Sequence, residues 1–315
     1  MNQKTNPLVS VVIPSYNHGA FIGQRIDTVL AQTYQNIEVF ILDDCSTDNS
    51  REVIAVYKDS PKVAKIVLNE TNTGNTFVQW ERGISMAQGE YVWIAESDDY
   101  TDPTFLEKII RKLTAHPDAV LGFCHSVCID QFGDELPMNL DVSSLYSHDG
   151  VYDGVAFGIE RMMRANRLYN ASMIVFRREC FFQVDPLYKE LRRSGDWAFW
   201  SCICAMGQIV EVPERLNYFR QHSNKVSFSG SQEEGLIEMI RIVLQNLSLF
   251  KPTAFQQRII RYYIHKNLTY PTYDLVSFKK REALKLKYPK LLGYRKSDKL
   301  CYKLDKLLFH FAGVR

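Results

Sequence analysis

Two acidic runs stand directly behind apolar runs in the first third of the chain. Glu38–Leu42 leads into Asp43-Asp44-Cys45-Ser46-Thr47-Asp48, and Tyr91–Ala95 leads into Glu96-Ser97-Asp98-Asp99. Carboxylates this close repel one another unless each finds a partner. In the first run a carboxylate can accept the N–H of a pyrimidine ring or a sugar hydroxyl. Asp44 is the residue that the apolar strand delivers to a ligand, while Asp48 reads as a cap or solvated start of the next helix. In the second run, adjacent acids form a hard-oxygen site for Mg²⁺ or Mn²⁺, too poor in nitrogen and sulfur for zinc. Such an ion is usually held by one or two carboxylates and otherwise by water and phosphate oxygens.

A third segment, Pro14-Ser15-Tyr16-Asn17, follows the apolar run Leu8–Ile13. A dinucleotide fold would place G-x-G-x-x-G here, but only the isolated Gly19 and Gly23 are present, and there is no P-loop. A nucleotide ligand would therefore have its phosphates neutralised by a metal and not by a glycine loop. Further on, Asp196 in Ser194-Gly195-Asp196-Trp197 precedes a helical stretch. Physics alone allows it to be a helix cap or a general base. Trp197 and Trp200 beside it read as core aromatics before sugar platforms. Arg220 and His222 stand ahead of a Ser/Gly-rich segment, Ser223–Gly235, which carries Lys225 near its start, and cationic or metal-binding groups there could grip a diphosphate under a closing loop. The remaining histidines, His18 among them, read as structural.

The elements that must position these groups alternate. Strands are predicted at Leu8–Ile13, Glu38–Leu42, Ala64–Leu68 and Tyr91–Ala95. Helices are predicted at Phe21–Ala31, from Ser46 or Ser50 to Tyr57, at Phe77–Met86, and from Asp102-Pro103 to Thr114, with Asp102 as cap. Alternation at this spacing implies a Rossmann-like, mainly parallel sheet with helices on both faces. Ligands of such sheets bind beyond the carboxyl ends of the strands. From Val120 to Arg220 the pattern is less regular, with strands at Leu121–Ile129, Ser172–Phe176 and Ile209–Val212 and a helix at Trp197–Met206. Leu236–Phe250 and Phe255–Leu268 then read as amphipathic helices broken at Pro252.

The segments VSVVIPSYNHGAFI, VFILDDCSTDNS and ISMAQGEYVWIAESDDY together resemble the family 2 glycosyltransferases of the GT-A fold. The likeness is close over Pro7–Pro117 and looser through His222. It implies an inverting transferase of a nucleotide-activated sugar, most often UDP-linked, acting in surface-polysaccharide assembly such as O-antigen or capsule. It puts Pro14, Tyr16, Asn17, Asp43 and Asp44 around the nucleotide, with Asn72 and Gly74 also donor-binding. Asp98 and Asp99 fall at ribose, metal and diphosphate, Arg220 near the diphosphate, and His222 with Asp98 and Asp99 on Mn²⁺ or Mg²⁺. Asp196 becomes the catalytic base. Three departures stand out: Cys45 where the family often has Gly, Glu96 where Asp is common, and Trp80-Glu81 where many members carry Arg-Asn. Arg82 is then the cation nearest in sequence to take over that contact. The implied organisation is a GT-A catalytic domain over residues 1–228, with nucleotide-sugar part 7–117 and acceptor part 118–228. A helical, basic region over 229–315 completes the chain.

Composition narrows the classes further. The 315 residues carry a net charge of only +2, but Lys279–Arg315 alone carries +9 and the preceding residues −7. An acidic body with a basic tail points to an anionic surface as partner, membrane phospholipid before nucleic acid. Seven cysteines in irregular spacing read as reduced cytosolic thiols, with Cys124 and Cys128 packed in an apolar run. No stretch reaches the ~20 apolar residues of a membrane span. The expected location is the cytoplasm, at the inner face of its membrane. A non-catalytic nucleotide-sugar-binding scaffold would lack a base or metal motif, and both are present. A sugar nucleotidyltransferase would need a glycine-rich basic N-terminal loop, which IPSYNHGAF is not.

Overall fold

The computed structural model describes residues 6–137, 150–222, 232–269 and 295–311. At its centre β1 (Val9–Ser15) is buried along its whole length. It lies between two parallel neighbours, β2 (Ile37–Asp43) and β4 (Tyr91–Ile94). Burial on both faces explains why these strands read as continuous apolar runs instead of alternating ones. The registers Ser15↔Asp43 and Val12↔Ile94 bring the segments after β1, β2 and β4 out at one edge of the sheet. Ile13 and Ile41 have no exposed surface, so truncating either to Ala would cost about 2–5 kcal/mol.

Helices cover this sheet where the periodicity predicts them: α1 (Ile22–Leu30), α2 (Ser50–Ala55) and, after β3 (Val63–Leu68), α3 (Thr76–Met86). The Asn75 side chain caps α3 by accepting from Phe77 N at 2.9 Å. Gly83 lets α3 sit down on β1, because a Cβ there would fall 2.3 Å from Val12 Cγ1. After the short β5 (Tyr100–Thr101), α4 (Phe105–Ala115) starts later than the Asp-Pro pair suggests. Asp102 does not cap the helix. Its Oδ1 accepts from Thr104 N and Oγ1 at 2.8 and 2.6 Å, closing a turn before the helix begins.

The sheet order is β3-β2-β1-β4-β8-β6-β9-β5, with β6 (Ala119–Ile129), β8 (Ile174–Arg177) and β9 (Gln208–Arg220), and with β7 (Val151–Asp153) paired to β9. The parallel half ends at β4. β8 runs antiparallel to both β4 and β6, β9 runs parallel to β6, and β5 runs antiparallel to β9. The pairing Tyr100↔Tyr218 matters most for the site, because it draws the end of the second acidic run against the end of β9. The two tyrosine rings stack at 4.3 Å.

Short helices α5 (Gly154–Phe157), α6 (Arg178–Phe181) and α7 (Leu187–Glu190) precede α8 (Gly195–Cys204). From Trp197 onward every residue of α8 is buried, as expected of a helix that is apolar all round. α9 (Gln232–Phe250) packs on α8. α10 (Ala254–Thr269) follows the break at Pro252 and packs on α11 (Lys296–Phe311), with the Tyr262 and Tyr302 rings tilted against each other at 4.7 Å. No helix among the described residues is long and apolar enough to cross a membrane.

Candidate active site

The expected pair Asp98 and His222 meets at the carboxyl edge of the sheet. Asp98 Oδ2 lies 3.0 Å from His222 Nε2, held there by the β5–β9 pairing. His18, read from sequence as structural, belongs to the same cluster. One ligand atom from each of His18, Asp98 and His222 lies within 4.8 Å of the other two. His18 Nδ1 is 2.7 Å from Ser97 Oγ, and its ring stands perpendicular to that of His222 at 5.5 Å. The signal was present in the sequence, since His18 sits in the loop directly after the first strand.

Asp99, expected among the metal ligands, turns the other way. It is buried, with Oδ2 accepting from Asn170 Nδ2 and Ser172 Oγ, both at 2.7 Å, and Oδ1 accepting from Arg220 N at 2.9 Å. Asp98 lies in the turn between β4 and β5, closed by Asp99 N donating to Glu96 O at 3.2 Å, and the two adjacent acids leave it in different directions. Arg220 is likewise drawn inward. Its guanidinium donates to the carbonyls of Asp98, Asp130 and Gln131 and to Gln24 Oε1. It therefore holds the Asp98 main chain in place.

Beneath the cluster lies a buried cation that the sequence reading missed. Arg25 occupies the buried stripe of α1 with Ile22, Ile26 and Val29. It donates to Glu96 O at 2.8 Å and Ser172 Oγ at 2.9 Å, with Asp99 Oδ2 at 3.9 Å. Burial lowers its pKa to about 10. Glu96 shows the opposite shift: burial, with Asp98 and Asp99 adding repulsion, pushes its carboxyl up to about 8. Trp80 Nε1 donates to Glu96 Oε1 at 3.0 Å. Arg82, proposed above as the substitute cation, donates to Asn69 Oδ1 instead, and Glu81 pairs with Lys189 at 3.0 Å.

At the neighbouring strand end, Asp43 is buried and accepts from Ser46 N at 3.0 Å and Arg51 Nε at 2.8 Å. Asp44 accepts from Asn69 Nδ2, Gln79 Nε2 and Thr73 Oγ1 at 2.7, 2.9 and 2.7 Å. Most of its acceptor capacity thus goes to fixing the segment after β3. Asn72 joins the same segment by donating to Asp44 O at 2.9 Å, and Gly74 takes φ +67° there. Asn17 ties the first loop to the second, through Asn17 N to Ser46 Oγ at 2.9 Å and Thr47 N to Asn17 Oδ1 at 2.8 Å. Pro14 lies within β1, and the Tyr16 ring beyond it is 45% exposed. Asp48 accepts from Ser50 N at 3.0 Å, at the start of α2.

Asp196 sits in the first turn of α8, one residue past the helix's first residue, Gly195, so it is not the N-cap. A Cβ on Gly195 would fall 2.3 Å from Tyr188 O, which accounts for the glycine. Asp196 Oδ2 accepts from Asn166 Nδ2 at 2.8 Å. Burial pushes its carboxyl up to about 7, against the lowering effect of its hydrogen bonds. Glu238 of α9 accepts from the backbone N–H groups of Arg192, Arg193 and Ser194 at 2.8–3.1 Å, pinning the segment that leads into Asp196. Sequence reading missed both Asn166 and Glu238. Trp197 and Trp200 are core residues, and Trp197 Nε1 donates to Met162 O at 2.8 Å. Residues 223–231, including Lys225 of the expected closing loop, lie outside the described residues.

The arrangement pairs a cation-binding edge with a separate carboxylate whose pKa lies near neutrality. Known proteins share the fold that carries these residues. The chain is similar to the crystal structure of S. aureus TarS 1-349 in complex with UDP-GlcNAc, with a TM-score of 0.69 and 17% identity over 90% of this chain and 81% of that one. A mannosyltransferase from Pyrobaculum calidifontis, in complex with GDP-Man and Mn²⁺, gives a TM-score of 0.54 and 14% identity over 97% and 88% of the two chains. In sequence, a glycosyltransferase of Haemophilus influenzae is 26% identical over 72% of this chain and 70% of its own length. A glycosyltransferase of Nostoc sp. is 29% identical over 72% and 69%. Residues 10–184, more than half of the chain, match the model of glycosyl transferase family 2, and the chain belongs to that family of GT-A glycosyltransferases.

Proposed function

We propose that this glycosyltransferase moves a sugar from a nucleoside-diphosphate donor, UDP-linked, to a hydroxyl of a saccharide or lipid-linked acceptor, with inversion at the anomeric carbon. The observation that carries the proposal is the 3.0 Å approach of Asp98 and His222 at the sheet edge where the three strand-end loops converge. The donor set fits a divalent ion. Ligands at right angles on an ion with bonds of about 2.1 Å stand about 3 Å apart. Bound there, such an ion would supply positive charge where the departing diphosphate becomes more negative.

The chain's own residues do the rest. Asp44 fixes the Asn69–Gly74 segment beside the exposed Tyr16 ring, and together these shape the seat of the base. Arg25 and Arg220 hold the acidic run in register from below. Asp196, on a different element, takes the proton of the acceptor hydroxyl during attack. A carboxylate near pKa 7 suits that task, because about half of it is ionised at neutral pH and it is basic enough to accept a proton. One displacement with one base inverts the configuration. In this reading residues 1–228 are the catalytic unit, and the region 229–315, helical over its described residues 232–250, 254–269 and 296–311, brings the enzyme to its acceptor in polysaccharide assembly.

Support for that last point comes from α11. It buries Asp298 and Cys301 while exposing Lys296, Lys299, Leu300, Lys303 and Leu304 on its opposite side. Interleaved cations and apolar side chains on one helix face suit an anionic membrane surface. Residues 279–294 and 312–315 of the basic stretch lie outside the described residues. The transferase reading is tested by a nucleotide-sugar panel with Mn²⁺ or Mg²⁺, reading release of nucleoside diphosphate. Turnover by the natural chain, with loss of turnover but retained UDP binding in Asp196→Ala, is the expected result. Equal turnover in the variant would move the base elsewhere.

A further inference from the structure

We propose that His18 is a third protein ligand at this edge. The His18–Asp98–His222 set would then select a transition-metal ion such as Mn²⁺ and discriminate against Mg²⁺. The inference rests on the functional reading above and adds the class of ion. Taken alone, the run Glu96–Asp99 is an all-oxygen site. The folded chain changes that donor set: Asp99 is turned into the protein, and two imidazoles stand beside Asp98. Among the described residues these three side chains form the one such group whose ligand atoms all lie within 4.8 Å.

Several contacts fix His18 where a ligand is needed. Its backbone N–H donates to Ser50 Oγ at 3.1 Å, and its Nδ1 meets the buried Ser97 Oγ at 2.7 Å. In the tautomer with the proton on Nδ1, that proton goes to Ser97 and Nε2 presents the lone pair. An outer hydrogen bond that sets tautomer and ring orientation is a usual companion of a ligating histidine. Phe21 packs against both imidazoles, at 6.1 Å from His18 and 5.4 Å from His222. Two nitrogens and one oxygen would be the protein's share of the donor set, and phosphate oxygens of a bound donor would add to it. Mg²⁺ favours all-oxygen shells and dehydrates reluctantly, whereas nitrogen donors are taken by first-row transition ions, Mn²⁺ most weakly of the series.

The test uses the full chain without nucleotide and titrates Mn²⁺ by its free-ion EPR signal, with Mg²⁺ as competitor. The natural protein should bind Mn²⁺ at least about tenfold more tightly than Mg²⁺. His18→Ala should lose about tenfold or more in Mn²⁺ affinity, with Mg²⁺ affinity nearly unchanged. Pulsed EPR of bound Mn²⁺ reports coordinated ¹⁴N directly and needs no variant: two imidazole couplings are expected in the natural protein, falling to one in His18→Ala. A single coupling in the natural protein, or equal Mn²⁺ affinity in a folded variant, overturns the proposal. Equal sugar transfer with Mg²⁺ and Mn²⁺ and a single ¹⁴N coupling would remove His18 but leave the transferase reading intact. Two couplings with no turnover of any donor would do the reverse.

Discussion

The indole Nε1 of Trp80 donates to Oε1 of Glu96 at 3.0 Å, and the same indole packs edge-on against Phe199 at 5.5 Å. One ring thus links the start of the second acidic run to α8, the helix that carries Asp196. Trp80 stands where many family members have a cation, so the chain has replaced a charge with a neutral donor and an apolar plate. Trp80→Phe keeps most of the plate and removes the donor.

The sign of that change with pH follows from Glu96. Its pKa in the folded chain is already raised to about 8, so folding stability falls as pH climbs toward that value. The Trp80 bond favours the ionised form, and losing it raises the folded pKa further. In metal-free protein, Trp80→Phe should cost about 1 kcal/mol at pH 6 and about 2 kcal/mol at pH 9. Urea unfolding at the two pH values reads this. A cost that shrinks toward pH 9 would contradict the assignment.

Asp196 predicts a second profile. If it is the base, kcat/KM should rise about tenfold per pH unit below about 7 and level off above it. Asp196→Asn should lower kcat by about 10²–10⁴ while leaving UDP affinity unchanged. The same substitution should stabilise the fold above pH 7. A carboxyl whose folded pKa is raised opposes folding once it ionises, and the amide cannot ionise. A lower melting temperature for Asp196→Asn at pH 8 would argue that the ionised carboxylate is a structural need.

How these residues were reached differs physically. The strand ends were legible because β1, β2 and β4 are buried on both faces and so read as apolar runs that stop at Pro14, Asp43 and Glu96. Asp98 and His222 emerged from the family likeness. His18 did not, because its partner Ser97 is 79 positions away and only the parallel pairing of β1 with β4 makes them neighbours. Asp99 was misplaced because one residue of register decides whether an acid faces ligand or core. Arg220 carries the charge expected of a phosphate ligand, yet four acceptors from three segments draw it inward. Glu238 was invisible because its role is to satisfy backbone N–H groups, which leave no trace in side-chain pattern.

Cys45 marks a departure whose consequence is local. It takes φ +68°, in the left-handed region where a Cβ costs roughly 1–2 kcal/mol and glycine nothing. This accounts for the glycine the family often has at that position. The thiol gains little in return, a contact to Glu70 O at 3.3 Å. Cys45→Gly should therefore raise stability by about 0.5–1 kcal/mol after the flexibility glycine adds to the unfolded chain. Calorimetry should show a melting temperature about 2 °C higher. A drop would mean that the Glu70 contact outweighs the strained backbone.

The exposed face of α11 yields the last prediction. Asp298 and Cys301 turn toward α10, and Arg261 pairs with Asp298 at 3.5 Å. Leu300 and Leu304 remain 58% and 43% exposed between Lys296, Lys299 and Lys303. The outward face of this helix thus alternates leucine with lysine. Near an anionic bilayer each lysine contributes about 1 kcal/mol, so reversing three charges should weaken binding by at least about 100-fold at low salt. The measurement is co-sedimentation of the full chain with vesicles of mixed neutral and anionic phospholipid, comparing the natural protein with Lys296→Glu/Lys299→Glu/Lys303→Glu. Leu300→Ala/Leu304→Ala should weaken binding as well, including at salt high enough to screen the lysines. Unchanged binding by the charge-reversed variant, or equal binding to purely neutral vesicles, would leave α11 as a packing element alone.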